Sequence, residues 1–244
     1  MGVSFNGRTN VSKTLYSRSS RDAPAVTNQQ LVEKLISDKT LTTPRIIDAF
    51  RSIDRKDFVL PGDEGRAYED RPLSMGYGAT ISQPTTVAIM LEKLFADGGS
   101  PIRGKATLRA LAASNGVKIL EIGTGSGYMT ALLAELIAKK GKVFSIELIP
   151  ELKGLAEFNL KKYNFRNVCL FVDDGKAGLE NYAPFDRIIS SASGDETPKS
   201  WKNQLKIGGR IVAPVAESLI VLDKTSKRRF KEKEYTGFIF VALR

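Results

Sequence analysis

The sequence predicts an α/β fold: a mostly parallel sheet wrapped by helices, ending in an antiparallel hairpin and preceded by an N-terminal helical region. Three observations carry this. From Val117 onward, short β-rich runs alternate with helical runs, and that alternation builds βαβ units around a parallel sheet. The last runs have no helix between them, only a basic turn, so the sheet must finish antiparallel. Before Val117 the apolar residues recur at three- and four-residue intervals, the period of helices packed on one face.

The elements follow in order. Residues 1–27 form a polar arm without hydrophobic periodicity. Residues 28–116 read mainly as helices: NQQLVEKLISDK, then TPRIIDAFRSI, in which Thr43 stands as a cap before the first-turn proline Pro44, then TTVAIMLEKLF. Between Phe95 and Val117 a Gly/Ser/Pro-rich loop leads into a short helix. Residues 117–244 carry the sheet. Its strands are expected at 117–122, 142–147, 167–172, 185–191, 210–215, 218–223 and 236–243, and its helices in YMTALLAELIAKK, PELKGLAEFNLKKY and PKSWKNQLKI.

Composition narrows the chemistry. The chain has 244 residues, 42% hydrophobic and 26% charged, enough for one sizeable core. Cys169 is the single cysteine and histidine is absent, so neither an intramolecular disulfide nor a Cys/His metal site can form. Carboxylates alone remain as ligands, none with ligand-like spacing, and no metal is expected. No apolar stretch resembles a secretory signal or a membrane span; the expectation is a soluble, cytoplasmic protein. Lys and Arg exceed Asp and Glu by 37 to 27, a field that favours acidic partners. The densest basic run, Lys224 to Lys233, reads either as a solvated hairpin tip or as a docking surface. Arg8, Lys13, Arg18 and Arg21 add charge to the arm.

The segment ILEIGTGSGYMTALLAEL sets Gly123, Gly125 and Gly127 between a strand and a helix. Glycines there let the backbone turn sharply and approach a ligand. The dinucleotide pattern G-x-G-x-x-G fails, because Tyr128 stands where its third glycine belongs, and the Gly-Lys-Ser/Thr of a phosphate-binding loop is missing. What remains is E-x-G-x-G-x-G, opening with Glu121. Glu147 ends the next strand, where a carboxylate can accept both hydroxyls of a ribose, and Asp174 follows the strand after that. Three carboxylates, a glycine loop and no phosphate-binding lysine suit a cationic nucleoside, with S-adenosyl-L-methionine as the candidate.

The motifs TISQP, ILEIGTGSGY, VFSIELIPEL, DDGKAG, PFDRIISSAS, QLKIGGRIVAPV and FVALR, with RSIDRKDFV and AYEDRPLSMGYGATISQP before them, stand together in one order. The chain from Leu31 to Arg244 thereby resembles the protein-L-isoaspartate (D-aspartate) O-methyltransferases. The resemblance implies a class I S-adenosylmethionine-dependent, Rossmann-like methyltransferase fold with seven strands. It implies a donor site at Glu121, Gly123, Thr124, Gly125, Ser126, Gly127, Glu147, Leu148, Asp174 and Gly175. In it the glycines line the methionine side, Glu147 holds the ribose, and Asp174 with Gly175 sits by the adenine. Ser82 falls at the active-site serine, with Thr80, Ile81, Gln83, Ser191, Ala192 and Ser193 beside the acceptor. On this reading residues 28–116 carry the acceptor segment and 117–244 the donor domain. The implied partners are isoaspartyl-containing peptides and proteins; nucleic acid is not expected, and no oligomeric state is implied.

A serine without histidine is consistent with that chemistry. A carboxylic acid with a pKa of about 3.9 is already ionised at neutral pH and needs no general base. Ser82 then orients the acceptor as a hydrogen-bond donor, the alternative being a residue of the helix entrance ahead of Pro84. The sequence departs from the family after SQP, where Thr85 and Thr86 replace an aromatic residue or histidine, at Ser191–Ser193 and at Ala216. The loop from Ala96 to Gly116 and the arm are longer than the family pattern. Since these departures fall on the acceptor side, an RNA base or a specific peptide aspartate stays open as an acceptor, as does a non-catalytic donor-binding module.

Overall fold

The computed structural model describes residues 26–96, 116–137 and 140–243. The arm up to residue 25 with its four basic residues, and the loop and short helix expected between Ala96 and Gly116, lie outside the described residues.

Helix α1, Asn28–Ser37, buries Leu31, Val32 and Leu35 and starts with a capping box. Thr27 accepts from the Gln30 N–H while the Gln30 side chain accepts from the Thr27 N–H, satisfying two orphan donors reciprocally. Helix α2, Pro44–Ser52, begins with its proline at the first position. Thr43 does precede it, but its side chain makes no cap. Its hydroxyl and its N–H both donate to Glu92, at 2.7 and 2.8 Å. A charged carboxylate is the stronger acceptor, so Thr43 ties α2 to α3, Pro84–Phe95, rather than to its own first turn.

The region read as helical also holds a small hairpin, β1 (Leu73–Gly76) with β2 (Ala79–Ile81). Its turn places Tyr77 and Gly78 at φ +54° and +72°, the left-handed pair that two-residue hairpin turns require. Strands this short leave almost no alternation to read. The hairpin delivers Ser82 directly from β2 to the start of α3.

The main sheet contains β3 (Lys118–Ile122), β4 (Lys142–Glu147), β5 (Val168–Val172), β6 (Phe185–Ser190), β7 (Leu205–Val215), β8 (Ser218–Lys224) and β9 (Phe230–Thr236), in spatial order β5-β4-β3-β6-β7-β8-β9. Pairs from β5 to β7 are parallel, while β7–β8 and β8–β9 are antiparallel. Helices α4 (Tyr128–Leu136), α5 (Pro150–Leu160) and α6 (Lys199–Gln204) connect the parallel strands. Strand β7 starts at Leu205, within the stretch expected to be helical.

The seventh strand differs from the expectation. It is Phe230–Thr236, out of the basic run, and residues 237–243 leave the sheet. Gly237, at φ +90°, turns the chain, and the N–H groups of Gly237 and Phe238 both donate to Glu217 O. Beyond that, a single bridge joins Ala242 to Ser193. The basic run is accordingly divided. Thr225 to Arg229 make the tip, whereas Lys231 and Lys233 alternate with Glu232 and Glu234 on the exposed edge strand, where charge discourages edge-to-edge pairing. Lys224 is buried and donates to Lys202 O and Leu205 O.

Both sheet faces are apolar, in strict alternation. Ile119, Val143, Ile189, Val212, Leu219 and Val221 face the core shared with α1 to α5. Leu120, Phe144, Ile188, Ile211, Ile220 and Leu222 face the cluster under Trp201. The N-terminal helices therefore share one core with the sheet. Two buried arginines lock α3 onto it: Arg187 donates to Leu94 O, and Arg210 to Lys93 O and Ala96 O, satisfying C-terminal carbonyls that the helix cannot. Asp223 grips Arg210 at 2.6 and 2.9 Å. Asp223→Ala leaves that guanidinium without its counter-ion and should lower the unfolding free energy by about 3 kcal/mol, read from urea denaturation.

Candidate active site

The strand order reverses beside β3: the chain runs outward through β4 and β5, then returns to β6 on β3's other side. Such a switch point opens a crevice at the carboxyl ends of the strands. Here β3 runs into Gly123 and β6 into Ser191, and both line a cleft with Ile122, Ile146, Glu147 and Leu148. The hairpin contributes Met75 and Tyr77 to Thr80 from above, and Val241 to Leu243 close another side. Among the described residues the lining contains no lysine or arginine.

The three glycines divide the work. Gly125, at φ +56°, faces the cleft, and a Cβ there would fall 2.8 Å from the Met75 methyl. Gly127, at φ +87°, is turned out of the cleft wall. Its bare Cα packs against Ala156 and Leu160, where a Cβ would come within 3.3 and 3.2 Å. It serves helix packing at the start of α4, and Gly123 and Gly125 serve the cleft.

The carboxylates also separate. Glu147 lines the cleft, its oxygens accepting from Gly125 N–H at 2.7 Å and Ile149 N–H at 3.1 Å; each oxygen retains a second lone pair. Asp174 is not in the cleft lining: it caps its own turn by accepting from Lys176 N–H, while its neighbour Gly175 lines the cleft. The Gly175 carbonyl is fixed by the indole N–H of Trp201. Glu121 lies beneath the loop, wholly buried, with Oε2 accepting from the Thr130 hydroxyl at 2.6 Å. Strand alternation puts it on the helix-facing side, away from the cleft. Thr124 shares a 2.6 Å hydrogen bond with Ser145, and Ser126, also buried, accepts Asn159 at its carbonyl. Glu121 supports the loop from behind, whereas Thr124 and Ser126 also line a small cavity with Thr80, Ser82 and Ser191.

A second groove opens next to the cleft. Ser82, Gln83, Thr85 and Thr86 form one wall, and the segment from Thr236 to Val241 forms the other. Thr80, Ser191 and Val241 line both spaces, so the donor-type cleft and the groove share a wall. Ile81 is buried under that wall, Ala192 lines the cleft, and Ser193 holds the C-terminal segment through its N–H to Val241 O. Ser82 does not cap α3; Asp70 does, accepting both the N–H and the hydroxyl of Thr85. Among the described residues the Ser82 hydroxyl has no hydrogen-bond partner.

Sequence reading missed Arg55 within RSIDRKDFV. Its guanidinium, wholly buried, donates to Ala67 O and Ser82 O at 2.8 Å each and to Arg71 O at 3.3 Å. Burial lowers its pKa to about 10, opposed by Tyr128 and Asp70, so it stays charged at neutral pH. Met75, Tyr77 and the Val241–Leu243 wall were also missed, since nothing local in the sequence brings them to the cleft.

The seven-stranded sheet, the switch-point cleft and the glycine loop define a class I S-adenosylmethionine-dependent methyltransferase, Rossmann-like in its sheet order. The family model described as protein-L-isoaspartate(D-aspartate) O-methyltransferase matches residues 26–244. A relative of that name from Pyrobaculum islandicum is 38% identical over 219 residues, 88% of this chain and 98% of the relative. Another, protein-L-isoaspartate O-methyltransferase 2 of Archaeoglobus fulgidus, is 39% identical, covering 88% and 92%. A Plasmodium falciparum crystal structure, described as a protein-L-isoaspartate O-methyltransferase in complex with S-adenosyl-L-homocysteine, shares the fold with a TM-score of 0.75. It is 20% identical and covers 90% of this chain and 99% of its own. The chain belongs to the protein-L-isoaspartate O-methyltransferase family.

Among the described residues no group of His, Cys, Asp or Glu is arranged to hold a metal ion, and no helix is long and apolar enough to cross a membrane.

Burial raises the Glu121 pKa from 4.5 to about 8, aided by Glu147 and opposed by Thr130 and Ser145. Between these values the folded chain keeps a proton that the unfolded chain has released. Stability therefore falls as pH rises through that window, and the penalty is complete above about pH 8. Glu121→Gln stays neutral throughout. Its melting temperature relative to the parent should climb from about pH 5 to about pH 8.5; a constant difference would refute a protonated Glu121.

Proposed function

We propose that this chain transfers the methyl group of S-adenosyl-L-methionine to the free carboxylate of L-isoaspartyl and D-aspartyl residues in damaged proteins. The observation that carries this is the unpartnered Ser82 hydroxyl in a groove that shares its Thr80–Ser191 wall with the donor cleft. The cleft fits the donor: glycines permit close approach, and among the described residues Glu147 supplies the one carboxylate in the lining and no cationic side chain opposes a sulfonium.

When bound, S-adenosylmethionine supplies an electrophilic methyl group on a positively charged sulfur. The free lone pairs of Glu147 accept the ribose hydroxyls, and the Gly175 edge, beside Asp174, receives the adenine. Ile122, Ile146 and Leu152 exclude water. On the other side, the Ser82 hydroxyl would donate to the acceptor carboxylate and orient one of its oxygens toward the donor cleft. Gln83, Thr80 and Ser191 flank that oxygen with further polar groups. No side chain removes a proton, because the acceptor is ionised already. The product ester then reacts without the enzyme: the adjacent backbone nitrogen attacks the ester carbonyl, methanol leaves, and a succinimide closes.

Methyl transfer from labelled donor to two peptides, differing only in isoaspartate or aspartate at one position, tests the acceptor. Base-labile ester should appear on the isoaspartyl peptide alone. Label on neither, with donor binding confirmed, would move the acceptor elsewhere, RNA included.

Two variants test the roles. Ser82→Ala should lower kcat about tenfold or more with the donor Kd within about twofold; full activity would remove Ser82 from the reaction. Glu147→Ala should weaken donor binding about 10- to 100-fold, because charge-assisted bonds to the ribose are lost. Trp201, the chain's single tryptophan, gives the fluorescence signal for that titration through its bond to Gly175.

A further inference from the structure

We propose that Arg55 is a positioning residue for methyl transfer, setting the Ser82 hydroxyl against the acceptor through the Ser82 carbonyl. This rests on the isoaspartyl reading of the site. Arg55 is wholly buried, yet it forms no ion pair among the described residues; its fork is directed instead at three main-chain carbonyls. A buried guanidinium whose nearest carboxylate, Asp70, acts only at longer range is costly if stability is all it serves, since an apolar side chain of similar volume would fill the space. What the fork does hold is specific. Ala67 and Arg71 belong to the loop before the hairpin, and Ser82 follows the hairpin's second strand, so one planar group fixes both ends of the excursion that carries Met75, Tyr77 and Thr80 over the donor cleft.

The frame behind Arg55 is rigid. It opens the short helical turn Arg55–Phe58, whose cap Asp54 accepts from Lys56 N–H and from the Tyr68 hydroxyl. Tyr163, at the end of α5, accepts the Asp54 N–H and donates to Asp57, and Lys162 grips Asp57 from the same side. The guanidinium carbon also lies 5.5 Å from the ring centroid of Tyr128, the first residue of the helix that follows the glycine loop. Arg55 thus touches the donor side through Tyr128 and the acceptor side through Ser82. Its planar fork satisfies carbonyls in three directions, a geometry that the ammonium of lysine cannot reproduce.

The test is a double-mutant cycle between Arg55→Lys and Ser82→Ala, with kcat and KM measured on the isoaspartyl peptide per donor-binding site, titrated by Trp201 fluorescence. Arg55→Lys keeps the charge and should fold; Arg55→Met keeps the volume and serves as the second variant. In the parent background Arg55→Lys should lower kcat about tenfold, with donor affinity within about twofold. In the Ser82→Ala background the same change should cost less than about twofold, because the hydroxyl it positions is already gone.

Equal losses in both backgrounds would overturn the proposal, as would donor affinity falling in step with turnover, which marks a general support of the fold. Unchanged kcat in both Arg55 variants would overturn it as well. A parent enzyme that methylates neither peptide but binds donor would instead remove the acceptor assignment on which the proposal rests, an outcome distinct from a failed cycle.

Discussion

The site depends on one topological constraint, the reversal of strand order beside β3. Because β3 pairs with β4 on one side and β6 on the other, the backbones leaving β3 and β6 must diverge, and no connection covers the gap between them. Gly123 and Ser191, the first residues past those strands, become opposite lips of one cleft. Everything else is arranged around that gap. The hairpin Leu73–Ile81 lies across it, the segment after Gly237 closes it from the far side, and the junction of donor and acceptor spaces falls where these three meet.

A chain with a net charge of +10 invites a search for acidic partners, but the interior accounts for part of that charge. Arg55, Arg187, Arg210 and Lys224 are all buried, and each donates to main-chain carbonyls at the ends of helices, strands or loops. Arg210 also pairs with a close carboxylate, Asp223. Carbonyls buried without partners would be costly, so these cations act as fasteners where no backbone donor is within reach. Three of them bear on α3: Arg55 holds the Ser82 carbonyl just before it, and Arg187 and Arg210 hold carbonyls of its last turn, while Lys224 ties α6 to β7. The helix that starts beside the acceptor groove therefore has little freedom to shift.

Much of this was legible. The parallel strands are legible because each is an apolar run between helical stretches, and motif spacing places Glu147 at a strand end and Ser82 at a helix start, where they line the cleft and the groove. The failures share physical causes. Glu121 and Gly127 belong to the glycine motif, yet neither lines the cleft, Glu121 lying beneath the loop and Gly127 packing on α5; motif membership says nothing about direction. The apolar run TGFIFVAL points to a last strand at residues 236–243. The structure chooses the charged FKEKEYT, since an edge strand exposes one row of main-chain groups and tolerates lysine and glutamate. Arg55 could not be found from local pattern, because its acceptors lie 12 to 27 residues away and are carbonyls, which no residue type announces.

The absence of histidine follows from charge as well as from proton affinity. Methyl transfer from a sulfonium to a carboxylate begins with one positive and one negative charge and ends with two neutral groups, so the transition state is less charged than the reactants. A dry, low-dielectric site favours such a reaction, because water would stabilise the separated ions more than the transition state. The apolar lining of Ile122, Ile146 and Leu152 serves that requirement. A cation bonded directly to the acceptor carboxylate would likewise stabilise the reactant and slow the transfer. On the proposed reading Arg55 avoids that cost: its guanidinium bonds to the Ser82 carbonyl, which leaves a neutral hydroxyl as the group offered to the acceptor. Neither proposed role requires a group that titrates near neutrality.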